Sequence, residues 1–182
     1  HNKIYALIKS VQIGHNPEDD PSLILSNAIR EAGASISSIG LIEADGSGIK
    51  EMEAREIEAI QRLWGPHRPG GPLVGIGSVK GNIGHTLRAS MAASLAKAAL
   101  ALRHRVLPPQ IAPNHPSDAI ANLNSSAYLI TEPRPWITGD SSNPRRAAVL
   151  ASNFTPCNPV GVTSREGRSA AIILEEEPED RI

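Results

Sequence analysis

Four polar side chains stand at glycine turns where chemistry could be done: Asp45, Lys80, His85 and Thr86. Asp45 opens Asp45-Gly46-Ser47-Gly48 after the short apolar, β-branched run 39–44, the pattern of a strand ending in a loop. Lys80 and His85 belong to Lys80-Gly81-Asn82-Ile83-Gly84-His85, which follows the buried-strand pattern of 73–79 and feeds a helix. At such a turn a neutral imidazole can donate its N–H to a developing oxyanion at pH 7. A carboxylate does the reverse. At about 4 Å and an effective dielectric near 20, two like charges repel by roughly 4 kcal/mol, about a thousandfold in rate. An ionised Asp45 would therefore oppose an enolate, and a protonated one would need its pKa raised by roughly three units through burial.

The remaining reactive residue types are less promising. Cys157 is the one cysteine, so it forms no internal disulfide; no activating base lies near it in sequence, and an isolated cysteine reads as a small apolar residue. His15, His67, His104 and His115 are scattered without metal-ligand spacing, so no metal is expected. Gly46-Ser47-Gly48 fits neither the G-K-[ST] nor the G-x-G-x-x-G phosphate loop. A net charge of −1 with no basic cluster argues against nucleic acid or acidic lipid as a partner. Apolar stretches are interrupted well short of a membrane span, and the first ten residues read as strand rather than signal peptide, so a cytoplasmic location is expected.

These turns need elements to hold them. Residues 3–13 have a strand-then-loop pattern ended by Gly14, and 21–32 carry a helical period with Gly33 placed to cap it. An amphipathic helix is expected over 51–64, with Met52, Ile57, Ile60 and Leu63 on or near one face, followed by a Pro/Gly linker over 65–72. The alanine-dense stretch 86–104 predicts a helix about 28 Å long, with side chains small enough to lie buried between two sheets. Most of the Pro-rich segment 108–135 is expected to wrap the surface, with one strand at 127–131. Residues 146–151 and 170–175 read as two more strands, joined by the irregular 158–168 as a hairpin with an enlarged tip. Aromatics are only 3% of the chain against 40% apolar residues, so the core must be aliphatic. The sum is one α/β unit over 1–175 with a mixed sheet, and a solvated acidic tail in Glu175-Glu176-Glu177, Glu179 and Asp180, with 176–182 as tail or linker.

Four ordered segments resemble the ketosynthase (β-ketoacyl synthase) domains of polyketide and fatty acid synthases. Ile42-Glu43-Ala44-Asp45-Gly46-Ser47-Gly48 is similar to the family's V-E-A-H-G-T-G, and Gly77-Ser78-Val79-Lys80-Gly81-Asn82-Ile83-Gly84-His85-Thr86 to G-S-V-K-S-N-I-G-H-T. Leu102-Arg103-His104-Arg105-Val106-Leu107-Pro108-Pro109 resembles L-R-H-x-x-L-P-P, and Pro144-Arg145-Arg146-Ala147-Ala148-Val149 resembles the strand entering a C-terminal glycine-rich loop. The resemblance implies a thiolase-like fold, this chain matching the C-terminal half of the αβαβα sandwich. The segment that bears the family's nucleophilic cysteine belongs to the other half.

Through the resemblance, His85 takes the place of the second active-site histidine and Lys80 that of its lysine, while Asp45 stands where the first histidine is expected. The alternative for His85 and Lys80 is a structural role kept from an active ancestor. The acidic residue that usually partners the lysine is replaced by Leu87, followed by Arg88. The stretch from Gly48 to Met52-Glu53-Ala54-Arg55 is about three residues shorter than the family's. S-F-G-F-G-G-T-N aligns with Ala151-Ser152-Asn153-Phe154-Thr155-Pro156-Cys157-Asn158, keeping Phe154 and Asn158, which with Thr86 are the implied substrate contacts. The resemblance implies no resident cofactor, a phosphopantetheine-linked acyl substrate, and as partners an acyl carrier protein, the N-terminal half of the domain and a homo- or heterodimer mate. The turns of Asp45 and His85 are expected to leave neighbouring strands and point into one pocket above the alanine-rich helix. Three readings follow: a degenerate ketosynthase half acting as scaffold or heterodimer partner, a fragment of a working or repurposed acyltransferase, and a module that holds an acyl chain without chemistry.

Overall fold

The computed structural model describes residues 3–15, 19–65, 73–123, 126–138, 143–152 and 169–178, and the side chains of all of these but Arg88 and Ser152. Strand β1 (Leu7–Ile13) leads to helix α1 (Pro21–Glu31). The helix starts at Asp20, whose carboxylate accepts from the Ser22 N–H, with Pro21 pre-set in the first turn. It stops at Gly33, whose φ of 63° suits a residue without a Cβ. Strand β2 (Ile39–Glu43), helix α2 (Lys50–Trp64) and strand β3 (Val74–Gly77) follow. Next come the single helical turn α3 (Lys80–Ile83), helix α4 (Ser90–His104), strand β4 (Val106–Leu107), the short helix α5 (Asp118–Ala121), and strands β5 (Ala127–Leu129), β6 (Arg134–Pro135), β7 (Arg146–Ser152) and β8 (Ser169–Glu175).

Six strands make one sheet in the order β1-β8-β7-β2-β3-β5, and β4 and β6 pair separately. β7, β2, β3 and β5 run parallel, while β8 is antiparallel to both its neighbours, β7 and β1. The expected mixed sheet is therefore present, and β7 and β8 pair as the hairpin reading required. Side-chain alternation divides the core. Ile42, Ala148 and Ile173 face α1 and α2, while Leu41, Val149 and Leu174 face α4. Gly40 admits Trp136, since a Cβ there would sit 2.5 Å from its Nε1. Gly40→Ala is expected to cost about 1–3 kcal/mol by overpacking, read as a lower urea midpoint with red-shifted tryptophan emission.

Four expectations need correction. The alanine-rich helix begins at Ser90 rather than 86, because Gly84 and Leu87 adopt positive φ (77° and 53°) and break the run; fifteen residues make it about 22 Å long. It is covered on one side only, Ser90, Ser94, Ala98, Ala101 and Leu102 being buried while Ala92, Ala96 and Leu100 are exposed. The Pro-rich segment holds one element beyond the expected strand, the short helix α5 capped by Ser117; Ile130 from that strand's run and Trp136 just past the segment enter the core. The acidic run is not a free tail at its start: Glu175 is buried against Lys9 and Arg146, and Glu176 pairs with Arg145. Among the described residues no helix is long and apolar enough to cross a membrane. The linker residues 66–72 and the hairpin tip 158–168 lie outside the described residues.

Candidate functional site

The site forms where parallel β2 and β3 end side by side, Glu43 opposite Gly77. The Ala44 N–H donates to the Gly77 carbonyl at 2.7 Å, which carries the pairing one residue further and sets Asp45 beside the start of α3. Lys80 Nζ lies 2.6 Å from Asp45 Oδ1, both side chains under 10% exposed. This corrects the expectation that Lys80 has lost its acidic partner. The acid missing at Leu87 has its counterpart at Asp45, whose carboxylate accepts a charge-assisted bond instead of donating one.

Gly46 turns the chain with φ of 53°, and a Cβ there would meet Ser78 Oγ at 2.7 Å. Ser78 Oγ donates to the Asp45 carbonyl at 3.3 Å, and the Ser78 N–H donates to Gln110 Oε1 at 2.6 Å. Sequence reasoning passed over Gln110 and, more consequentially, Glu56. The two carboxylate oxygens of Glu56 accept from the backbone N–H groups of Asp45 (2.7 Å) and Gly46 (3.0 Å). Burial first, and the Asp45 carboxylate second, push the Glu56 carboxyl up to about 7, against the pull of the two N–H groups and Lys80. A signal for Glu56 was in the sequence. It interrupts the i, i+4 stripe Met52, Ile60, Trp64, where a charge on the inward side of α2 asks for a partner.

Beneath the turn a second ion pair anchors β2 to α4. Glu43, fully buried, accepts from the Val79 N–H at 2.5 Å and lies 2.8 Å from Lys97 Nζ. Burial raises the Glu43 carboxyl above the ordinary range, and the Lys97 charge opposes that rise. Gly77 leaves the room, since a Cβ on it would be 3.1 Å from Lys97 Nζ.

His85 and Thr86 sit on the exposed turn before α4. The Leu87 N–H donates to His85 Nδ1 at 3.0 Å, so in the neutral ring the proton is on Nε2. Thr86 Oγ1 is 3.2 Å from Ser90 Oγ. Asp45 lines a small open cleft with Glu56, Met52, Arg55 and Leu150. His85 is not among the lining residues. The two turns do leave neighbouring strands as expected, but among the described residues Asp45 shares its cleft with Glu56 and its charge with Lys80. Phe154, Cys157 and Asn158 lie outside the described residues. Among the described residues no cluster of His, Cys, Asp and Glu could hold a metal ion.

The sequence pattern of the family described as Beta-ketoacyl synthase, C-terminal domain matches residues 9–113. This chain belongs to that family. Polyketide synthase GfsB of Streptomyces halstedii is 32% identical over 158 residues, 82% of this chain and 3% of that protein. Spectinabilin polyketide synthase system protein NorA of Streptomyces orinoci is 35% identical over 159 residues, 86% of this chain and 8% of that protein. Among solved structures, the oxazolomycin ketosynthase domain OzmH KS7 of Streptomyces albus JA3453 superposes with a TM-score of 0.80 at 26% identity. The ketosynthase from module 6 of the bacillaene synthase from Bacillus subtilis 168 gives 0.78 at 28%. Each of these two covers 97% of this chain, which spans only 31% of either. The fold is thus the thiolase-like fold of ketosynthases, and this chain is the C-terminal ketosynthase domain.

Proposed function

We propose that this chain is the C-terminal half of a polyketide-synthase-type ketosynthase domain whose condensation chemistry is disabled, and that it acts as a scaffold docked on an N-terminal half. One observation carries this reading: Asp45, at the position matching the family's first active-site histidine, is closed into a buried ion pair with Lys80. An ionised carboxylate there stabilises no enolate, and its Oδ1 is already engaged by Lys80 Nζ at 2.6 Å. Purified chain mixed with a malonyl-loaded acyl carrier protein is expected to release no carbon dioxide above background. A malonyl-dependent burst that His85→Ala abolishes would sink the reading.

The docking part rests on apolar surface. Ile8, Val11 and Ile13 of β1 are exposed, and their partners Leu174, Ile172 and Ala170 place them on the sheet face that carries α4. With Leu100 they leave a broad apolar margin on one side of the molecule. The first half of a ketosynthase, or a second copy when that half is missing, suits this margin; the same half would make the route to a homo- or heterodimer. Light scattering is expected to find self-association that Leu100→Lys reduces without moving the melting temperature. A monomer indifferent to Leu100→Lys would count against the docking face.

The exposed His85, with its ring proton left on Nε2, favours a second reading, in which the chain holds a phosphopantetheine-linked acyl group presented by an acyl carrier protein. His85 and Thr86 would then contact the thioester, with Phe154 and Asn158 as the further contacts that the family resemblance implies. Loss of acyl-carrier binding in His85→Ala, with no turnover in either protein, would favour this reading over the pure scaffold.

A further inference from the structure

The Asp45 turn is held by a carboxylate that uses both its oxygens. Glu56 Oε1 takes the Asp45 N–H and Oε2 takes the Gly46 N–H. Only an ionised carboxyl accepts well at both positions. Once protonated, it keeps one carbonyl oxygen and gains a hydroxyl, a poor acceptor facing a backbone donor. Helix α2 starts at Lys50, so its second turn brings Glu56 to the two amides.

The charges around Glu56 come from three elements. Asp45 after β2 repels it, Lys80 of α3 attracts it, and Arg55 of α2 lines the same cleft. The other described lining residues, Pro21 of α1, Ser47, Met52 of α2, Leu150 and Ala151 of β7 and Ser169 of β8, carry no charge. Ionising Glu56 therefore sets a second carboxylate beside Asp45 with Lys80 already engaged at 2.6 Å.

We propose that Glu56 is a pH-operated latch: ionised, it clamps the Asp45 and Gly46 amides; protonated, it releases one of them and frees the turn that carries the Asp45–Lys80 pair. The latch regulates the geometry of the site and stands whether the site is a scaffold or an acyl cradle. Its working range is near neutral, since the carboxyl is pushed up to about 7. The sign for stability runs opposite to the sign for clamping. A folded-state pKa above the unfolded 4.5 means that the folded chain holds the proton more tightly, so stability falls as pH rises from about 4.5 to about 7.

The test uses the full chain labelled with ¹⁵N and ¹³C. The Glu56 carboxyl carbon is expected to titrate with a midpoint near 7, and at least one of the Asp45 and Gly46 amide protons to move upfield with the same midpoint as pH falls. Asp45→Asn, which removes the repelling charge, is expected to lower that midpoint by one unit or more. Glu56→Gln is expected to abolish the amide titration and to leave one amide weakly bonded at every pH, because its NH₂ would face a backbone donor. A Glu56 midpoint below about 5, amides that do not follow it, or an amide titration that survives Glu56→Gln overturns the proposal. Loss of the titration in His85→Gln, which would assign it to the imidazole, overturns it too. Should Glu56→Gln fail to fold, the wild-type co-titration and the Asp45→Asn shift decide the matter.

Discussion

Lys80→Met is expected to lower the stability of this chain by about 3–5 kcal/mol. The ion pair it breaks is short and nearly dry: Nζ to Oδ1 is 2.6 Å, with 6% and 9% of the two side chains exposed. Removing the ammonium leaves Asp45 buried beside Glu56, two carboxylates with one less cation between them. The cost is that of an uncompensated buried charge and not the net worth of the pair. Lys80→Met with Asp45→Asn is therefore expected to regain most of the loss, since a neutral pair of similar volume needs no counter-charge. Urea midpoints of wild type, both single variants and the double variant close the cycle. Additive losses, or a Lys80→Met cost below about 1 kcal/mol, would mean that the pair is open to water. A second readout follows from the same geometry. Lys80 is one of the groups that hold the Glu56 carboxyl down, so in Lys80→Met its midpoint is expected to rise above the wild-type value of about 7.

The elements were legible because local chemistry and tertiary demand agree in them. Asp20-Pro21 and Gly33 bracket α1, and the stripe of Ile57, Ile60 and Trp64 specifies which side of α2 faces the sheet. The runs 39–44, 73–79, 146–151 and 170–175 became β2, β3, β7 and β8 with small changes at their ends. Boundaries governed by positive φ were not legible. Leu87 gives no hint that it will sit at φ 53°, so the start of α4 was placed four residues early. Nor was α5, a four-residue helix set in a segment read as Pro-rich wrapping.

The site divides along the same line. Asp45, Lys80 and His85 were found because each stands at a glycine turn in a recognisable segment. Their pairing was not, because an ion pair between residues 35 apart depends on β2 and β3 being neighbours in register. Glu56 is one of several glutamates on α2, and in the sequence only its place on an apolar stripe sets it apart. Glu175 was misread for the reverse reason: its run of acids looks solvated in sequence, yet strand alternation and two cations draw it into the sheet. What a sequence leaves implicit here is chiefly which charges share a neighbourhood.

Lys97→Met carries the second large effect, and its size is expected to depend on pH. Glu43 lies fully buried on β2, held by the Val79 N–H and by Lys97 Nζ at 2.8 Å. Burial already raises its carboxyl, and Lys97 is the first group opposing that rise, so removing Lys97 raises it further. A carboxyl whose folded pKa exceeds its unfolded one favours the folded state below the unfolded pKa, and that benefit is lost as pH climbs through the folded value. At pH 8 Lys97→Met must either keep a bare carboxylate in the core or bind a proton from a dilute supply, and a loss of about 3–5 kcal/mol is expected. At pH 5 Glu43 is protonated more cheaply and the loss is expected to shrink by half or more. The Glu56 titration is common to both proteins, so it cancels when the variant is compared with wild type at each pH. Glu43→Gln with Lys97→Met should remove the pH dependence of the difference. Equal losses for Lys97→Met at pH 5 and pH 8 would show that Lys97 supports α4 by packing alone, and that Glu43 is not the charge it answers.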